Sequence, residues 1–424
     1  MTTRHDCEAL DAQDPLARLR EQFALPAGTI YLDGNSLGVL PAATAARVHD
    51  VVTREWGADL ITSWNKAGWI HLPQRVGDKI GRLIGARPGE TLAADSTSVN
   101  LYKVLSAALE IVGRDAPPAR QRIVSERHNF PTDLYIAQSL AAQHGFTLEL
   151  VEPDEIASQI DERLAVLMLT QVNYRTGRVH DMAAVTRAAH ECGALTVWDL
   201  AHSAGAIPVD LNAAEADFAV GCGYKYLNGG PGAPAFLWVH RRHLERMDRE
   251  QLWQPLSGWM GHAAPFEFGP DYRPAPGIAR FACGTPSALA LGALECGVDT
   301  VLAAEPLGGM AALRRKSLAL TGLFIRLVEE RCTGHGLELV TPRDEALRGS
   351  QVSFARAEGG YAIVQALIER GVIGDFRAPD VLRFGLTPLY LRFADVWDAV
   401  EQLRQVLETG QWREARFNVK AAVT

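Results

Sequence analysis

Lys225 sits in the stretch ADFAVGCGYKYLNGGPGAPAF. An apolar run leads there into Gly-Tyr, a single lysine, and a Gly/Pro-rich segment that continues neither strand nor helix. An amine at the end of a buried strand loses hydration and its neutral form becomes more accessible, as a Schiff-base nucleophile requires. Read by itself, Lys225 is also compatible with a surface lysine at a loop start. Of 42 basic residues only six are lysines, so each can be weighed singly. Lys79, Lys103 and Lys316 fall in helix-like patterns, Lys420 in the tail and Lys66 in a Trp/Gly-rich loop. Twenty-six residues before Lys225, the run ALTVW ends in Asp199, within VWDLAHSAG. The carboxyl end of a parallel strand is where open α/β sheets bind ligands. A carboxylate and an amine on two such ends suit pyridoxal phosphate (PLP): the carboxylate keeps the pyridine nitrogen protonated so that the ring is an electron sink, and lysine takes the aldehyde.

Other residues offer the remaining contacts. His202 is placed to stack on or hydrogen-bond the ring, with a capping or packing histidine as the alternative. Thr97 and Ser98 open a helical pattern, where hydroxyls and free N–H groups bind phosphate, although ordinary N-capping explains them equally well. ERHNFPTDLYIAQ repeats the arrangement, with Phe130 before Pro131 and Thr132-Asp133 entering a helix; Phe130 either covers an aromatic ring or packs in the core.

These residues need a scaffold. From about 90 to 290 short apolar runs alternate with helical periodicity, which indicates an α/β sheet with parallel strands. Strands are expected at 121–126, 146–151, 164–169, 194–198, 217–222 and 235–239, with helices at 97–112, 132–143 and 181–192. Beyond residue 300 a long helix (307–331), strands near 337–341 and 350–355, a helix at 361–370, a strand near 381–386 and a helix at 393–408 indicate a smaller α+β domain. The expected division is an N-terminal segment 1–55 packing on one of these domains, a large domain 56–295 and a small domain 296–424. The 424 residues, 47% hydrophobic and 22% charged, are ordinary for a globular protein. A net charge of -8 gives no global pull toward nucleic acid or anionic membrane. No apolar run is long enough to span a bilayer, and six dispersed cysteines without a CxxC pair read as reduced thiols of a cytoplasmic protein. The twelve histidines show no HxxxH or HxH spacing, so no metal is expected.

Taken in order, YLDGNSLG (31–38), TSVN (97–100), NFPTD (129–133), WDLAHSAG (198–205), GCGYKYLNGGPG (221–232), SGWMGH (257–262) and RFGLTPLY (383–390) resemble kynureninase, a PLP-dependent hydrolase of fold type I, the aspartate aminotransferase fold. The resemblance implies a large domain with a mostly parallel seven-stranded sheet between helices plus a smaller α+β domain, and a homodimer with shared active sites. It implies hydrolysis of L-kynurenine, or of 3-hydroxy-L-kynurenine, to anthranilate or 3-hydroxyanthranilate and L-alanine, in tryptophan breakdown through kynurenine. By the same resemblance Lys225 binds the cofactor and later moves protons, Asp199 pairs with the pyridine nitrogen, His202 lies beside it and Phe130 stacks on the ring. Thr97, Ser98, Pro131, Thr132, Asp133, Thr170 and Tyr224 contact the cofactor, Tyr224 as a phosphate ligand or a late proton donor. Trp259 and Thr285 reach the phosphate of the neighbouring subunit; Thr285 stands where some relatives have asparagine. Arg383 grips the substrate carboxylate, a task suited to its bidentate fork, although on sequence alone a structural ion pair explains it too. Asn35, Ser36 and Trp64 (with Asn65) fall at substrate-binding positions. The rival readings are a cysteine desulfurase-like or aminotransferase-like PLP enzyme of the same fold. A desulfurase needs a cysteine on a mobile loop, and the region 330–380 offers only Cys332, at a helix end.

Overall fold

The computed structural model describes residues 2–115 and 120–420. Its central sheet comprises β1 (Thr91–Ala93), β2 (Arg122–Glu126), β3 (Thr147–Val151), β4 (Leu164–Thr170), β5 (Leu195–Asp199), β6 (Phe218–Gly221) and β7 (Phe236–Val239). The order is β1-β7-β6-β5-β4-β2-β3. Strands β2 to β6 run parallel, and β7 is antiparallel to both its neighbours. Every residue of β2, β4, β6 and β7 is buried, which is why β4, β6 and β7 read as nearly unbroken apolar runs. The helices that matter below are α1 (Arg4–Ala12), α2 (Thr97–Asp115), α3 (Pro131–His144), α4 (Met182–Glu191), α5 (Gly309–Arg331), α6 (Gly360–Glu369) and α7 (Phe393–Thr409).

Two features of the sheet depart from the sequence expectation. The three-residue edge strand β1 was not anticipated, because TLA is too short to show a period. Strand β7 reverses direction because the connection 222–235 contains no helix, and a parallel return needs a crossover, usually helical, of a dozen or more residues. That helix-free connection is the segment carrying Lys225.

The C-terminal part forms an antiparallel sheet in the order β10-β11-β9-β8, from β8 (Glu338–Leu339), β9 (Gln351–Ala355), β10 (Asp375–Arg377) and β11 (Val381–Gly385). The sequence reading missed β10, whose DFR has one apolar residue between two charges. The N-terminal segment ties the parts together. On α1, Arg4 Nε donates to Asp398 Oδ1 at 2.8 Å, and the Asp11 carboxylate accepts the Phe393 and Ala394 N–H groups at 2.6 and 3.0 Å. An anion there satisfies orphan donors at the positive end of α7. Ile30–Tyr31 then pairs in parallel with Val372–Ile373, and the Gly38 N–H reaches the Tyr224 carbonyl at 2.7 Å. Among the described residues no helix is long and apolar enough to cross a membrane.

Candidate active site

The strand ends converge as an open α/β sheet requires. Thr170 ends β4 and Asp199 ends β5, and the ladder places them directly opposite one another. Beyond β6 the chain turns through Lys225–Asn228, closed by an Asn228 N–H to Lys225 carbonyl bond of 2.9 Å, with Asn228 at φ 54°. One pocket is lined by Ser96, Thr97, Ser98, Phe130, Thr132, Asp133, Thr170, Tyr174, Asp199, Ala201, His202, Tyr224 and Lys225. Ten residues singled out from the sequence therefore share a cavity with three that were not: Ser96, Tyr174 and Ala201.

Inside it, Lys225 Nζ lies 2.9 Å from His202 Nε2 and 6.0 Å from the centre of the Phe130 ring. Asp199 Oδ1 accepts the Ala201 N–H at 2.7 Å. Burial raises the Asp199 carboxyl above its usual range, opposed by the charge of Lys225. Asp133 is raised further, by burial and then by the Asp199 charge, so Asp133 carries the proton of the pair and hydrogen-bonds Asp199. Burial and the neighbouring Lys225, Arg383 and Arg377 charges hold the His202 imidazole well below its usual range, and it is neutral at pH 7. Burial also raises the Tyr224 phenol, so it stays protonated.

A planar, anionic heteroaromatic aldehyde fits this arrangement. Phe130 exposes 44% of its surface and meets Tyr174 edge-on at 5.5 Å, which leaves a ring face open to stacking. The buried Asp199 carboxylate gains a partner if a protonated ring nitrogen lies against it. His202 Nδ1 is buried without a hydrogen-bond partner. Helix α2 opens at Thr97-Ser98 with its dipole and free N–H groups available to a phosphate.

A second cluster adjoins the pocket through Tyr174. Arg383 is buried on β11, directly opposite Asp375 on β10. Its Nε donates to Asp375 Oδ1 at 2.7 Å, and its Nη2 to Asp375 Oδ2 and to Ser36 Oγ at 2.9 Å. Its Nη1 donates to the Tyr174 carbonyl at 2.6 Å. Arg377 Nη2 approaches the same Asp375 at 2.8 Å. Burial and the Asp375 charge push the nearby Asp33 carboxyl up to about 7. Asp33, Asp375 and Arg377 were missed in the sequence; in DFR, residues two apart share a strand face, and that was the available signal.

The other predicted residues lie elsewhere. Asn35 is fully buried against Gly385, its side-chain amide without a partner. Trp64 and Trp259 meet at 6.4 Å in an aromatic group that continues to Phe266 and Phe268. Thr285 lines a separate cavity of about 230 Å³ beside Asp95, Cys283 and Pro286.

The chain is 57% identical over 427 aligned residues to the kynureninases of Pseudomonas fluorescens and Burkholderia pseudomallei, covering 100% of each protein and 100% of this one. The chain belongs to the kynureninase family. A family model described as the kynureninase C-terminal domain matches residues 313–403. Solved structures establish the fold. Apo cysteine desulfurase from Thermococcus onnurineus superposes with a TM-score of 0.77 at 18% identity, over 92% of this chain and 98% of the other. A lysine-to-alanine mutant of C-DES, with glycine covalently linked to its PLP cofactor, gives 0.77 at 16% identity, over 91% and 98%. The kynureninase family chain thus carries the fold of PLP-dependent fold type I enzymes.

Proposed function

We propose that this kynureninase family member is a PLP-dependent hydrolase that cleaves L-kynurenine to anthranilate and L-alanine, with 3-hydroxy-L-kynurenine as the alternative substrate. The observation that carries the reading is a single pocket holding Lys225, Asp199, Phe130 and the start of α2, in a chain 57% identical over its full length to kynureninases. When bound, PLP supplies an electron sink for negative charge developing at the substrate Cα.

The chain's own groups do the rest. Lys225 Nζ would hold the aldehyde of the bound cofactor, and the same amine is placed to move protons at the substrate Cα. Asp199 keeps the pyridine nitrogen protonated, and Asp133, carrying the shared proton, leaves Asp199 the anionic partner. Thr97, Ser98 and the N-terminus of α2 bind phosphate, Thr132 and Thr170 add hydroxyls, and Phe130 covers the ring. His202 Nε2 lies 2.9 Å from Lys225 Nζ, a contact that holds the amine in place. Tyr224, protonated in its half-buried setting, is the candidate donor of the proton that completes L-alanine. Arg383, with Ser36 beside it, takes the substrate carboxylate. Trp259 and Thr285 serve the neighbouring subunit's site in a homodimer. That assembly is supported by the exposed large apolar side chains of Trp56, Leu60, Ile61, Phe266 and Phe268. A cytoplasmic location is supported by six free cysteines.

The desulfurase reading lacks its nucleophile: Cys332 is buried, and burial pushes its thiol up to about 12. The test is a fluorescence assay of anthranilate release from L-kynurenine, run beside 3-hydroxy-L-kynurenine without any keto acid. Sustained release is expected, and none from PLP-loaded protein with either substrate overturns the reading.

A further inference from the structure

We propose that Arg377 is a second carboxylate-binding residue for the substrate, acting beside Arg383 and setting the preference for an anionic amino acid over its amide. The proposal rests on the functional reading above and names a residue that reading leaves unused.

The strand pleat places the group. Asp375 and Arg377 are two apart on β10 and share a face, and Arg383 on β11 stands directly opposite Asp375. Arg383 is largely committed before any substrate arrives. Of its five N–H groups, four are directed at Asp375, Ser36 and the Tyr174 carbonyl, and the side chain is only 2% exposed. One remaining N–H cannot make the two-pronged contact that gives arginine its advantage over lysine for carboxylates.

Arg377 keeps a free donor nitrogen on an exposed side chain. Its side chain is 42% exposed, and only its Nη2 is engaged, by Asp375 Oδ2 at 2.8 Å and Ser36 Oγ at 3.3 Å. Its Nη1 makes no hydrogen bond among the described residues, and its Nε is buried without a partner. A freely solvated arginine on this surface would need neither contact. Here Asp375 and Ser36, which is itself bonded to Asp375 at 2.7 Å, pin Nη2 and leave Nη1 free to donate. Two guanidinium groups against the Asp375 carboxylate, with the nearby Asp33 carboxyl protonated below about pH 7, leave a single positive charge, which one substrate carboxylate neutralises. Arg377 lies near enough to the reaction pocket to act electrostatically on both His202 and Tyr224. Asp375 and Ser36 are therefore positioning residues, and Arg377 with Arg383 makes the contact.

The test uses PLP-loaded Arg377→Gln and Arg377→Lys. For Arg377→Gln the expected result is a KM for L-kynurenine raised about 10-fold or more, as for loss of a charge-assisted hydrogen bond, with kcat changed less than about 3-fold. A second readout is the visible spectrum during titration with L-alanine and with L-alaninamide. Half-saturation by L-alanine should rise by the same factor, and that by the amide by less than about 2-fold. An unchanged KM, or equal losses for acid and amide, overturns the proposal. Should Arg377→Gln fail to fold, Arg377→Lys carries the test: it keeps the charge but loses the fork, so a KM rise of about 5-fold is expected and a wild-type KM overturns it. If the wild type releases no anthranilate, the functional reading fails, while the L-alanine and L-alaninamide titrations still decide the role of Arg377.

Discussion

Replacing Arg383 by lysine preserves charge and length class but removes the planar fork, so it isolates geometry. Arg383 places four hydrogen bonds on buried partners: two on Asp375, one on Ser36 and one on the Tyr174 carbonyl. An ammonium reaching from the same Cα keeps one contact to Asp375 and one other. One charge-assisted bond to Asp375 is then lost, and a buried acceptor, the Tyr174 carbonyl or Ser36 Oγ, is orphaned; together these cost about 3 kcal/mol. Spread over the unfolding entropy of 424 residues, about 0.9 kcal/mol/K in all, this lowers Tm by roughly 3 °C. Arg383→Met, which leaves Asp375 buried and half-paired, should cost more, in the range of about 3–5 kcal/mol. The assay is differential scanning calorimetry of the cofactor-free protein, so that ligand binding does not contribute, together with KM for L-kynurenine. The KM of Arg383→Lys should rise at least about 10-fold. A lysine variant with wild-type Tm and KM would refute the argument that the fork, and not the charge alone, organises this cluster.

Three further outcomes follow from the same geometry. Asp33 has a folded pKa of about 7 against an ordinary 3.8, because burial and Asp375 outweigh Ser36, Arg383 and Arg377, so the folded chain retains a proton that the unfolded chain releases. Its contribution to stability is full below about pH 4 and is lost as pH rises through 7, so Asp33→Asn should be stabilised relative to wild type at pH 8 and nearly neutral at pH 4; denaturant midpoints at the two pH values check this, and equal differences refute it. A Cβ on Gly38 would sit 2.4 Å from the Lys225 carbonyl oxygen and 2.5 Å from Asn228 Oδ1, so Gly38→Ala must displace the Lys225 turn. It should cost about 1–3 kcal/mol and reduce kcat, and a wild-type kcat would show that the contact is not needed. Asp199→Asn removes the charge that repels Asp133, so the cofactor-free protein should be no less stable while kcat falls about 10²–10³-fold; calorimetry and turnover read the two effects separately, and near-normal turnover would contradict the role of Asp199.

The strand ends that carry the candidate site residues were legible without coordinates. ALTVW before Asp199 and FAVG before the Lys225 segment are continuous apolar runs stopped by polar or Gly/Pro-rich residues, and such local signals follow from backbone sterics and burial on both faces of a sheet. The pairing of Thr170 with Asp199 follows from the parallel ladder once those strands are neighbours. The reversal of β7 was not read, because it depends on whether residues 222–235 form a crossover helix. Nor was the cluster around Asp375 visible: it joins Ser36 to Arg383 across 347 positions, and DFR alone is too short to declare a strand. The balance of charge was likewise a tertiary matter. Asp133 and Asp199 lie 66 positions apart and share one proton only because folding buries both carboxylates together. Lysine, aspartate and their strand ends belong to the sequence, since period and propensity are local properties. Which carboxylate stays charged and which arginine keeps free donors was decided by the fold, because desolvation and Coulomb energy depend on neighbours that only the packed chain supplies.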